Sequence, residues 1–297
     1  VPSTPPDDSD EPPSDDTDER SSEEPSAEPT REPTEPPGDE LDNRLSRAKA
    51  LCQRRLWLVA VPAVASLVSI SNLIRALNAG PGGGVTFPLP SGLPTVWTYA
   101  SLPGQTTPVA TGVGGLLPGV AVFLVGAVFV GVLEAGLLGT LAGLADGADR
   151  SFAAAASQHA VPVVAARLLV AGIVFVTFPV LLVVPAVALL IAPLLLVVTY
   201  VVYGLPFVIV VERRQFRSAL DRTLQLARGG GDYARFAVAH LVAGAAVSVP
   251  VSSLIRGGLP GVAVALALTA PVGLFVAAYG VLVFRELGGD PSPPTPT

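Results

Sequence analysis

"LLVAGIVFVTFPVLLVVPAVALLIAPLLLVVTYVVYGLPFVIVV", residues 168–211, runs 44 positions without a charged side chain, and "ERRQFRSALDRTLQLARGGG", residues 212–231, follows at once. A helix crosses a hydrocarbon core about 30 Å thick with about 20 residues, so the first stretch is too long for one span and long enough for two. Pro185 and Pro193 bracket the expected turning point, because proline removes a backbone donor and ends or bends helices. The second stretch has the opposite character. On a helical wheel Phe216, Leu220, Thr223, Leu224 and Ala227 share one face, Arg214, Arg217, Asp221, Gln225 and Arg228 share the other, and the glycines at 229–231 stop the helix. It reads as an interfacial helix with Arg213, Arg214, Arg217, Arg222 and Arg228 set among anionic headgroups.

Laid along the whole chain, the same ruler gives spans at about 56–76, 116–144, 164–186, 189–211, 234–254 and 259–284, the last kinked at Pro271. The fold class is therefore all-α: a polytopic six-span bundle over residues 46–286, with interfacial helices before the third and fifth spans. Composition agrees, with 50% hydrophobic residues, 14% charged residues and a mean hydropathy of +0.58. The net charge of -6 belongs to one end, since 16 of the 24 acidic residues and only two of the 18 basic ones lie in residues 1–42. Residues 1–45 form a Pro-rich acidic segment with almost nothing to bury, expected to be a disordered solvating tail, and residues 287–297 a second short tail. The first apolar run starts near Leu56, so no cleavable leader is expected. Cys52 is the single cysteine, which excludes an internal disulfide, and it reads as an ordinary thiol in preference to a lipidation site.

Six spans distribute the basic residues unequally. One face receives Arg44, Arg47, Lys49, Arg54 and Arg55, then Arg150 and Arg167, then the 213–235 arginines and Arg285; the other receives Arg75 and Arg256. The positive-inside rule makes the arginine-rich face cytoplasmic and puts both termini there, in the cell membrane. The connection between the first two spans, 78–112, lies in an uncharged stretch from 76 to 133 and is rich in Gly, Pro and Thr. Phe87, Trp97 and Tyr99 are expected to anchor it at headgroup level, with a lid or binding loop as the alternative. Residues 150–172 and 214–244 both place Phe after a polar residue near their start and end in "LVAG", which raises an internal repeat of surface helix plus span.

The order "EAGLLGTLAGLADG", "SFAAAASQ", an apolar pair of spans and then "LPFVIVVERRQFRSALDRTLQLARG" resembles the membrane domain fused to some glycerophosphodiester phosphodiesterases, and related uncharacterised prokaryotic multi-span families. The resemblance covers roughly 115–285 and rests on Pro206, Glu212, Ala219, Leu220, Arg228 and Gly229. It implies a multi-span fold and carries over no catalytic residues, and the chain has no soluble phosphodiesterase domain to supply hydrolysis.

Inside the second span Ala127, Gly131, Ala135, Gly139 and Gly143 recur every four residues, a small-residue stripe that lets another helix approach closely. Glu134 stands about 60° from that stripe and about 13 Å from the inner end of the span, facing the bundle interior. A carboxyl at that depth costs on the order of 2.5 kcal/mol or more, which makes it a candidate site. Arg167 and His240 enter from the same end, so Glu134, Arg167 and His240 form a candidate polar cluster: a proton or solute site, or a structural pair. Metal-ligand spacings, HExxH, GxSxG and a P-loop lysine do not occur in the sequence, so no catalytic residue, metal or cofactor is expected. The basic 213–228 segment offers only Phe216 for stacking, which argues against nucleic acid. The expected function is a non-enzymatic scaffold or accessory that contacts headgroups or a protein partner at its cytoplasmic face. The first rival is a small-solute or proton-coupled permease using Glu134; the second, a lipid-acting enzyme, needs Ser151 or Ser157 beside His159.

Overall fold

The computed structural model describes residues 37–78, 84–102, 113–183 and 185–289. Every regular element among them is helical: α1 Pro37–Arg54, a 3-10 turn Leu56–Val59, α2 Ala60–Val68, α3 Ile70–Leu77, α4 Val96–Tyr99, α5 Val113–Ala145, α6 Phe152–Val183, α7 Pro185–Val202, α8 Leu205–Val211, α9 Phe216–Gly229, α10 Gly231–Ile255 and α11 Gly258–Leu287. Among the described residues five stretches are long and apolar enough to cross a bilayer, Val120–Ala145, Phe152–Ile173, Pro193–Val211, Gly231–Ile255 and Gly258–Leu287, and the bent pair Leu41–Arg54 with Leu56–Val68 makes a sixth if it counts as one span. The chain is thus a multi-span helical membrane protein.

The remaining expected span, 56–76, is broken at Ser69 between α2 and α3, and the chain bends by 95° just before it, between Leu41–Arg54 and Leu56–Val68. Serine hydroxyls that bond back along the helix, Ser66 Oγ to the Pro62 carbonyl at 2.7 Å and Ser69 Oγ to that of Ala65 at 3.3 Å, compete with the backbone there. Other boundaries move too. Helix α1 already begins at Pro37, inside the expected tail, while residues 1–36 and 290–297 lie outside the described residues. The surface helix expected before the third span is the first three turns of α6, which continues unbroken, so the proposed repeat has no matching pair of units. In α9–α10 the separation is real, because Gly230 and Gly231 take φ of +65° and +53°. Between the third and fourth spans α6 ends at Val183 and Pro185 opens α7, with Pro193 inside it.

The segments assigned by charge to one face do meet at one end of the bundle. Arg44 pairs with Glu286 at 2.7 Å, Arg55 with Asp149, Arg213 with Asp146 at 3.3 Å, and Arg285 with Asp146 at 3.1 Å. Arg222 reaches the Leu287 carbonyl at 2.8 Å. Arg213 itself stands at φ +53°, an unusual conformation for a side-chain-bearing residue, at the turn from α8 into α9. Beneath this girdle Phe207 stacks on Phe284 with centroids 4.8 Å apart, and Tyr203 on Tyr233 at 4.5 Å. The break at Tyr203–Gly204 leaves the last α7 carbonyls without helical partners, and the Tyr233 hydroxyl donates to those of Tyr200 and Val201 at 2.9 and 3.1 Å. A Cβ at Gly204 would press into Tyr233 and Phe284, which is why glycine stands at the break.

Residues 84–102 depart furthest from expectation. They do not lie at the headgroups but fold into the bundle: Tyr99 is buried, Trp97 is half-buried, and of the three aromatics only Phe87 is exposed. Pro88 meets Gly244, and the Pro94 carbonyl meets Gly273, both mid-span positions. Gly244 is 11 residues before Ile255, or about 16 Å below the end of α10. Gly84 returns against Ser101, so the segment enters and leaves at the same end. Its irregular backbone is satisfied by buried serines, with Thr86 N–H donating to Ser248 Oγ at 2.9 Å, Ser101 N–H to Ser252 Oγ at 2.8 Å and Val96 N–H to Ser66 Oγ at 3.0 Å. Removing such an acceptor strands a buried N–H, at a cost of about 1–3 kcal/mol. Ser248→Ala and Ser252→Ala should therefore each lower the thermal midpoint of the detergent-solubilised protein, whereas Ser253→Ala, whose exposed hydroxyl bonds only within its own helix, should leave it unchanged.

Candidate functional site

A cavity of about 340 Å3 lies at mid-bundle between α5, α6, α7 and the inserted segment. Its floor is Glu134. The Glu134 side chain is 1% exposed and that of Arg167 28%, and Arg167 Nε donates to Glu134 Oε2 at 2.5 Å. Glu134 Oε1 has no hydrogen-bond partner among the described residues. It is roofed by Gly92, where any Cβ would overlap it. Pro88, Ser91, Gly92 and Thr98 come from the inserted segment, Ala166, Val170 and Ile173 from α6, Leu195, Val198, Thr199 and Val202 from α7, and Tyr203 and Pro206 from the α7–α8 break.

Helix α5 can hold the carboxylate so deep because α6 lies close against it. Gly131 packs on Val164, Gly139 on Ala155 and His159, and Gly143 on Ala148 and Arg150, while Ala135 is fully buried; a Cβ at Gly131 would come within 2.9 Å of Val164 Cγ2. Ala127, at the top of the same stripe, is only partly buried. That approach sets Glu134 and Arg167 within one side-chain length of each other.

Of the three expected cluster members, the structure joins two. His240 is buried on α10 behind the inserted segment, with its ring 6.3 Å from those of Tyr99 and Phe236, and it does not line the cavity. The surface-helix arginines are also divided. Arg214 and Arg222 both pair with Glu212, at 2.6 and 3.3 Å, and Arg213 with Asp146, so these three are spent within the protein; Arg217 and Arg228 have no partner among the described residues. Ser151 and Ser157 are exposed and bond to the Ala154 backbone, whereas His159 is buried against α5, so the three do not assemble. Burial pushes the Cys52 thiol up to about 11, which suppresses the reactive thiolate at neutral pH.

Sequence reasoning missed the contributions of residues 88–98 and of Tyr203 and Pro206. The signal was present in the 78–112 connection, which carries no charge and is too apolar for a solvated loop of that length. No family model, curated protein or solved structure matches the chain.

Breaking a buried pair strands the remaining charge, while replacing both partners removes the problem. Glu134→Ala should lower unfolding stability by on the order of 3 kcal/mol, and Glu134→Leu combined with Arg167→Met should recover most of that loss. Thermal melts in detergent, compared between the wild type and the two variants, test this.

Proposed function

We propose that the protein is a proton-coupled permease for a small organic solute, with Glu134 as the proton-carrying group and the cavity around it as the solute site. The observation that carries this reading is a carboxylate ion-paired through one oxygen, with the other oxygen unpartnered, at the wall of a mid-membrane cavity. An ionisable group at that depth is costly, and such groups commonly mark solute or proton paths. The cavity walls add support. Two are interrupted backbone, the inserted 84–102 segment and the Tyr203–Gly204 break, and transporter sites are characteristically built from discontinuous elements at mid-membrane.

In this reading the arginine-rich end faces the cytoplasm, by the excess of basic residues at that end. The Arg44–Glu286 pair ties helix α1 to the end of α11 there, which supports a reading with both termini on that side. Arg217 and Arg228 are the arginines of α9 left to meet anionic headgroups. A scaffold role leaves the Glu134–Arg167 cavity without a use, which is why the permease reading is preferred.

Proteoliposomes holding the wild type or Glu134→Gln, with a panel of radiolabelled carboxylates, amino acids and sugars and an imposed pH gradient, test the proposal. At least one solute should accumulate in a gradient-dependent way with the wild type, and the variant should reduce that uptake at least tenfold while reconstituting to the same level. Equal uptake by both proteins, or none above empty vesicles across the panel, contradicts it.

A further inference from the structure

We infer that the cavity takes an amphiphilic organic monocarboxylate and that each anion enters together with one proton. The inference rests on the permease reading and names its substrate. It starts from charge. Glu134 and Arg167 together are neutral, and a net charge at mid-membrane is expensive. Arg167 uses only Nε on Glu134; its two Nη nitrogens donate to no described residue, and the side chain lines the cavity. A guanidinium presents a planar fork that matches a carboxylate. An anion seated on it leaves the site at -1 unless one positive charge arrives, and the atom placed to receive that charge is Glu134 Oε1.

The exchange is balanced. The Arg167–Glu134 ion pair opens, a proton from water bonds to the Glu134 carboxyl, and Arg167 closes on the substrate carboxylate. The site is neutral before and after, so the loaded form carries no net charge through the low-dielectric interior.

The same geometry argues against other solutes. Gly92 sits so close over Oε1 that there is space for a proton there and not for an ammonium group, which disfavours amino acids. Hydroxyls for a sugar are few, since Thr199 donates to the Leu195 carbonyl at 2.6 Å and Tyr203 to that of Tyr233 at 2.6 Å. Ser91 and Thr98 add two hydroxyls from the inserted segment, that of Thr98 already accepting from Thr95 N–H at 3.0 Å, and the rest of the wall is largely aliphatic. Val170 on α6 and Thr199 on α7 line the cavity and are also exposed on the bundle surface, so the gap between these helices opens toward the acyl-chain region and admits an apolar tail.

The other ionisable groups around Glu134 do not reach its free oxygen. Tyr203 is committed to Tyr233, His159 packs on Gly139 nearer the arginine-rich end, and His240 lies beside Tyr99 on the far side of the inserted segment. Proton uptake on anion binding is thereby assigned to one carboxyl.

Calorimetric titration of the purified full-length protein with hexanoate, octanoate and the uncharged hexanamide, in two buffers of different ionisation enthalpy near pH 7, tests the inference. Hexanoate should bind with about one proton taken up per site, octanoate should bind about fifteenfold tighter, at about fourfold per methylene, and hexanamide at least tenfold more weakly. Glu134→Gln, already neutral, should keep hexanoate binding but lose the proton uptake, and Arg167→Gln should lose the preference for hexanoate over hexanamide. Equal binding of hexanoate and hexanamide, binding of neither, or hexanoate binding without proton uptake overturns it. The two levels separate: Glu134-dependent uptake of some other solute with no carboxylate binding removes the substrate assignment alone, whereas proton-linked carboxylate binding without any flux removes the permease reading.

Discussion

Backbone amides cannot enter hydrocarbon unpaired, and the way residues 84–102 meet that requirement shapes the rest of the molecule. A segment that is helical only over α4 reaches mid-membrane because Ser66, Ser248 and Ser252 stand where its N–H groups need acceptors. Two of these serines are four residues apart on α10, so they lie on one face of that helix and receive opposite ends of the inserted segment. With the segment in place, Gly92 roofs Glu134 and the bundle acquires a cavity wall that is neither lipid nor helix. Without it, the carboxylate would face an open funnel.

Charge follows the same logic at two depths. At the arginine-rich end Asp146, Glu212 and Glu286 gather six arginines into a girdle that holds α1, α5, α8, α9 and α11 in register. Those pairs are partly exposed, and each contributes modestly. The Glu134–Arg167 pair is different in kind, since its carboxylate is fully buried and such a pair is weak evidence for stability alone. A buried pair kept beside a cavity, with one carboxyl oxygen unpartnered, is a use of charge that stability does not explain.

The architecture was legible because hydropathy and charge report on solvent, and the solvent here is lipid. Five of the six expected spans are present, and the charged segments meet at one end, as alternate crossings require. The first span differs in form from the expected straight rod, since the break at Ser69 and the bend at its start after Arg54 leave composition untouched. The 78–112 connection was misread for the converse reason: Trp97 and Tyr99 suit an interface and a bundle interior equally, and only the pairing of Thr86 and Ser101 with serines on α10, more than 140 residues away, decides between them. Glu134 and Arg167 could be matched by depth along their helices, whereas the same reasoning placed His240 with them because depth says nothing of which side of a helix neighbours which.

The insertion of residues 84–102 is the claim on which cavity, site and mechanism rest. It is tested most directly by pairing Pro88→Cys with Gly244→Cys in a Cys52→Ser background, in native membranes, under mild oxidation, since Pro88 lies in contact with Gly244. The account predicts an intramolecular disulfide that protects both positions from a membrane-impermeant maleimide. Failure to form that bond, with position 88 freely labelled from the aqueous side, would place the segment outside the bundle and contradict it.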